Sequence, residues 1–148
     1  MSQRPSPEFT ELAELLDRCR DKTIRNVSML SETQLTRQFM ERSCLLGLLK
    51  HLRDEEQRWF ELCFAGNDVP DLPEFTGSFE ITEGDTVEGV LERYTRQVAT
   101  SRAIVRAASL DDRSKNPESK FSLRYIMLQM IAETSEHSGQ IMMVGQLL

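Results

Sequence analysis

The stretch Gly66-Asn67-Asp68-Val69-Pro70-Asp71-Leu72-Pro73-Glu74-Phe75-Thr76-Gly77-Ser78-Phe79-Glu80-Ile81-Thr82-Glu83-Gly84-Asp85 has no helical period, yet it joins two segments that have one. It carries Pro70, Pro73, Gly66, Gly77 and Gly84, residues that interrupt helices. A connection of about 20 residues is long for a compact domain and calls for a role. Antiparallel neighbouring helices need only short links, whereas parallel neighbours need chain that travels back along the bundle. A helix of about 20 residues is about 30 Å long. An extended chain covers about 3.3 Å per residue, so this loop spans that length with slack. The loop is therefore predicted to be a crossover, with the helices on either side of it parallel.

The flanking segments support this reading. Before the loop, a second helix over about Cys44 to Ala65 carries Leu45, Leu48, Leu49, Leu52, Glu56, Trp59, Phe60 and Cys63 on one face, and Gly66-Asn67 ends it. After the loop, Asp85 is read as the cap of a third helix whose face holds Val87, Val90, Leu91, Tyr94, Val98, Ser101, Val105 and Ala108. The first helix carries Leu12, Leu15, Leu16, Cys19, Thr23, Val27 and Leu30, with Pro7 in its first turn and Glu8 and Glu11 at its positive end. Ser31-Glu32-Thr33-Gln34 resembles a capping box and opens one short extra turn. Asp111 to Ser119 is a polar turn with Pro117. The fourth helix runs from about Phe121 to near the C-terminus through Leu123, Ile126, Met127, Met130, Thr134, His137, Ile141 and Val144. Met127, Met130, Met142 and Met143 read as gap-filling core. The expected fold is all-α: one domain over residues 1–148, a four-helix bundle in up-down-down-up order with helices two and four antiparallel.

The composition narrows the function classes. A chain of 148 residues with 39% apolar and 28% charged content is an ordinary globular domain. The net charge is −6, and the 18 basic residues are scattered, which argues against nucleic acid or an anionic membrane surface as partner. No apolar run approaches the roughly 18 residues of a membrane span. The first residues, Met1 to Pro7, lack the apolar core of a signal peptide. Cys19, Cys44 and Cys63 are odd in number and fall on predicted helices, so they read as buried free thiols in a reducing, cytoplasmic setting.

The candidate chemistry rests on the two histidines in the chain. At about 100° per residue, with Met130 at the centre of the last helix's stripe, His137 falls about 20° and Glu133 about 60° from that centre. A buried glutamate needs a cation, a hydrogen bond or a proton. His51 lies at the edge of the second helix's stripe, and in antiparallel helices its height matches that of His137. Three readings stay open on the residues alone: a divalent-metal site, an internal Glu133–His137 hydrogen bond, or coincidence.

The run Leu46-Gly47-Leu48-Leu49-Lys50-His51-Leu52, with Glu56 and Trp59-Phe60, resembles the second helix of the DinB/YfiT-like metalloenzyme superfamily. Ser122-Leu123-Arg124-Tyr125-Ile126 through Glu133-Thr134-Ser135-Glu136-His137-Ser138-Gly139 resembles the last helix of its mini-circle-protein-like branch, and Asp85-Thr86-Val87 with Tyr94 echoes the third. The resemblance implies a divalent ion held by a histidine on helix two and two ligands four apart on the last helix; carried over, these are His51, Glu133 and His137. Mycothiol-dependent maleylpyruvate isomerases are similar in using Glu and His. Further histidines common in the branch are replaced here by Gln129 and Gln140, and an arginine common near the chain end gives way to Gly145 and Gln146. Gln129 and Gln140 are expected to support the bound cofactor, or else to be polar residues at a helix edge.

Three protein ligands leave an open coordination position, as catalytic sites do. Zinc or nickel is the expected ion, and several relatives bring a low-molecular-weight thiol such as mycothiol to it. The implied activity is thiol transfer to a small-molecule electrophile. A metal-dependent hydrolase, or a non-catalytic bundle with a structural metal, is the alternative. Phe39, Phe79 and Ile81 are candidate pocket walls. Dimerisation is common in the superfamily, so a homodimer is among the implied arrangements, although no sequence feature shows it.

Overall fold

The computed structural model describes residues 4–74 and 79–148; residues 75–78 of the long loop, Gly77 among them, lie outside the described residues. The described residues are all-α, with no strand. Helix α1, Pro7–Ser28, starts with Ser6 accepting the Phe9 N–H at 3.1 Å and with Pro in its first turn. The short α2, Glu32–Thr36, is closed by the expected capping box between Ser31 and Gln34. Helix α3, Leu45–Glu56, runs without interruption into a π-helical segment, Gln57–Phe64, and the chain then turns at Gly66, where φ is +70°. Helix α4 covers Val87–Arg106, and α5, capped by Ser122, covers Leu123–Leu147.

Cross-helix pairs give the directions. Lys50 bonds to Asp85 at the head of α4, and Gln97 of α4 bonds to Glu61, so α3 and α4 run parallel on the two sides of the loop. The ring of Trp59, in the π segment that continues α3, lies 6.3 Å from that of Tyr125 while His51 meets Glu133, so α3 and α5 run antiparallel. Arg124 pairs with Glu8 and Asn26 with Ser138, so α1 and α5 run parallel.

The helix predicted over Cys44 to Ala65 is not α throughout. Leu52, Glu56, Phe60 and Phe64 are all buried, each four residues from the last. In an α-helix every four-residue step drifts about 40°, so three such steps would carry Phe64 off the core face. The wider π turn holds more residues and cancels the drift. Asp85 also differs from its expected role, because Thr86 caps α4 by accepting the Gly89 N–H at 3.0 Å. Asp85 instead collects Lys50 (2.7 Å), Arg93 (2.6 Å) and the Thr82 N–H (2.8 Å). Burial opposes its charge, but these donors outweigh it and hold its carboxyl well below the usual range.

Other expectations shift in detail. Of the three free thiols only Cys44 is buried, and it precedes α3 rather than lying within it; Cys19 and Cys63 are half-buried. Burial pushes all three thiols up, which keeps them protonated. Met127 and Met130 fill the core as read, but Met142 and Met143 are exposed, as is Leu15. They sit at the margin of their helix stripes, where a one-position offset decides between core and solvent.

The core has two apolar parts. One holds Val27, Leu52, Val98 and Ile141, and the other Leu16, Phe60, Val105 and Met130. Between them, every long helix turns a polar residue inward: Arg20 and Thr23 on α1, Glu56 on α3, Ser101 on α4 and Thr134 on α5. Glu56 is 0% exposed and takes two bonds from Arg20, at 2.7 and 2.8 Å. The hydroxyls of Tyr94, Ser101 and Thr134 are buried with no partner among the described residues, and groups of that kind take ordered water.

Gly47 sets how closely the loop returns over α3. A Cβ there would stand 1.7 Å from the Phe79 carbonyl oxygen, an atom of the backbone that Cys44 N–H also holds at 3.1 Å. Alanine normally gains about 1 kcal/mol over glycine inside a helix. Here Gly47→Ala is expected to lose about 1–3 kcal/mol, because the loop must move. The urea midpoint measures this, and an unchanged or raised midpoint would show a loop that gives way freely.

Candidate metal centre

His51 reaches the site from the first turns of α3, and Glu133 and His137 from one face of α5, four residues apart. The antiparallel pairing of these helices brings them together. Nε2 of His51 lies 3.0 Å from Glu133 Oε1, and Nε2 of His137 lies 3.0 Å from the same oxygen. The three ligand atoms are all within 4.8 Å of one another. Ligands at about 2.0–2.2 Å from a tetrahedral ion stand about 3.3–3.6 Å apart, so one ion fits with small movements. The two imidazoles are near perpendicular, with ring centres 5.1 Å apart and planes at 86°.

Gln140 settles the tautomer of His137. The Nδ1–H of His137 donates to Gln140 Oε1 at 2.7 Å. A neutral ring bonded in this way turns the bare lone pair of Nε2 toward the Glu133 carboxylate. Two electron-rich atoms then face each other at 3.0 Å, so the geometry calls for a cation between them, a proton or a metal. Glu133 is held down to about 2 by its bonds to His137 first and His51 second. Burial opposes charge on His137, yet Glu133 and Gln140 together raise its pKa above 6.5. The donor set, two imidazoles and a carboxylate with one imidazole oriented from behind, suits a divalent ion.

The walls differ from one another in origin. Phe79, from the crossover loop, sets its ring 5.1 Å from that of His51 and 5.4 Å from that of His137 and covers them with hydrocarbon. Phe39 and Ile81 pack against the apolar core at the same end. Gln129 is half-buried one turn before Glu133 and makes no hydrogen bond to the triad among the described residues, whereas Gln140 does. Reading the sequence missed Arg20 and the role of Gly47. The signal for Arg20 was its place four residues after Leu16 and three before Thr23, in phase with the buried face of α1.

A sequence model of the family described as mycothiol-S-transferase matches residues 11–148. The chain belongs to the mycothiol-S-transferase family. No curated protein and no solved structure matches it. The family is DinB/YfiT-like, as the two histidine-bearing runs implied. The match takes in both helices of the triad and runs from within α1 to Leu148. No helix among the described residues is long and apolar enough to cross a membrane.

Proposed function

We propose that His51, Glu133 and His137 hold one divalent ion, zinc or nickel, and that the chain is a metal-dependent thiol transferase using mycothiol or a similar low-molecular-weight thiol. The observation that carries this is the convergence of two Nε2 atoms on one carboxylate oxygen in a chain of this family. A divalent ion bound there supplies the positive charge that keeps a thiol deprotonated near neutral pH. The protein's own part is to point both imidazoles inward, to lock the tautomer of His137 through Gln140, and to shield the rings with Phe79. Held by His51, Glu133 and His137, the ion would make a thiolate available to a small electrophile, the thiol proton passing to solvent and the displaced group leaving with its electron pair. We further propose a single cytoplasmic domain of up-down-down-up four-helix-bundle type; the pairings of Lys50 with Asp85 and of His51 with Glu133 support that order.

Elemental analysis of protein purified without a histidine tag tests the first step. About one ion per chain is expected after soaking with zinc or nickel, and less than about a tenth would sink the reading. Activity is then expected toward electrophiles only when the thiol is supplied.

The pH dependence separates the metal-free from the loaded protein. With a chelator present, Glu133, at about 2 against an ordinary 4.5, stabilises the fold above about pH 4.5 and loses that contribution as pH falls toward 2. His137, raised above 6.5, contributes fully below about 6.5 and loses it as pH rises through the raised value. The chelated protein is thus expected to be helped most by the triad between those two limits, and less at alkaline pH. With zinc the trend reverses, since protons compete with the ion for its ligands: the gain in Tm should grow from about pH 6 to about pH 8. Parallel melting curves with and without zinc across that range would contradict the site.

A further inference from the structure

We infer that α1, which supplies no ligand, is the ruler that sets the axial register of α3 against α5 and so brings His51 onto Glu133 and His137. The inference rests on the proposed metal reading for its purpose, although not for its geometry. Apart from the bonds of His51, no hydrogen bond joins α3 to α5 among the described residues. Both helices are instead pinned to α1. Arg20 grips Glu56 of α3 through Nε to Oε1 at 2.7 Å and through its terminal nitrogen to Oε2 at 2.8 Å. Asn26 grips α5 at the residue after His137, donating to the Ser138 carbonyl at 3.2 Å and its hydroxyl at 3.1 Å.

The spacing matters. Arg20 and Asn26 are six residues apart on one rigid helix, about 9 Å. Glu56 lies five residues beyond His51 on α3, about 7.5 Å away along the axis, and Ser138 adjoins His137 and lies five residues beyond Glu133. α1 therefore holds one point on each ligand-bearing helix at a fixed separation. A two-pronged guanidinium–carboxylate pair fixes direction as well as distance. Adaptable side chains such as Met accommodate small shifts between packed helices, whereas a metal centre tolerates errors of only about 0.2 Å in each bond. The pair is 3% and 0% exposed, so its partners cannot be exchanged for water without large cost. Arg20 and Asn26 are positioning residues.

The test uses the full chain and three readouts: zinc affinity by calorimetry, melting temperature with chelator, and the NMR ring-proton contact between the only two histidines, whose centroids stand 5.1 Å apart. One variant replaces the pair with apolar residues, Arg20→Met with Glu56→Leu; the second is Asn26→Leu, which keeps side-chain volume. The paired variant is expected to melt no lower than the parent, since well-packed apolar residues replace a buried pair without loss. Both variants should bind zinc at least about tenfold more weakly and lose the His51–His137 contact in chelator. Folded variants that keep the contact and parental zinc affinity would overturn the inference. If the parent takes up no zinc but the contact vanishes in the variants, the metal reading fails and the register role stands. If the paired variant does not fold, Asn26→Leu decides by the same contact.

Discussion

His51→Ala is expected to leave a folded protein holding less than about a tenth of a divalent ion per chain, against about one in the parent. The imidazole is the only ligand from α3, so its loss leaves two ligands on a single helix, Glu133 and His137, too few to close a site. The fold should survive, because His51 lies at the edge of the buried face with 10% of its side chain exposed, and the leucines around it keep the helix in place. Glu133→Gln should lose the ion as well, while preserving the shape of the site. Metal content by mass spectrometry, with helicity by circular dichroism on the same samples, reads both effects. Unchanged metal content in either variant would end the case for this centre.

Glu56→Leu is expected to lower stability by about 3–5 kcal/mol, on the order of 10 °C in Tm for a chain of this length. It strands the Arg20 guanidinium in the core with Asp17 as its remaining acidic partner, at 3.0 Å. Asp17 is partly exposed and also serves Arg102, so it offsets only part of the loss. Melting in chelator, where metal plays no part, isolates the effect. A shift under about 2 °C would show that the Arg20 guanidinium swings to solvent.

Much of this was legible before any coordinates. Apolar residues three and four apart marked each long helix, since a helix must bury one face and the period of that face is a local property. The capping box at Ser31 was read from the sequence, because a cap is satisfied within four residues of itself, whereas Ser6 and Ser122 were recognised as caps only in the structure. The loop 66–85 was legible as a crossover from its length and from the lack of a period. The residues alone left Glu133 and His137 on one helix face with three readings open, and it was the resemblance of the two histidine-bearing runs that named His51, Glu133 and His137 together as candidates.

Other features were hidden, each for a reason of distance along the chain. The π segment appears only when Leu52, Glu56, Phe60 and Phe64 must all face the same neighbours. Asp85 looked like a cap until Lys50 and Arg93, 35 and 8 residues away, were found on it. Arg20 was in phase with the buried face of α1, but nothing local named Glu56, 36 residues on, as the partner it meets inside the core.

The sequence by itself determined where the long helices lie, the capping box at Ser31, the crossover and, through the resemblance of its two histidine-bearing runs, the ligand candidates, since periodicity and end chemistry act over a few residues. Only the tertiary structure decided that both Nε2 atoms meet one oxygen of Glu133, that Gln140 and not Gln129 bonds to His137, and that α1 is tied by hydrogen bonds to both α3 and α5. Those outcomes depend on axial register and on sub-ångström approach between helices far apart in the chain, quantities that no local pattern of residues encodes.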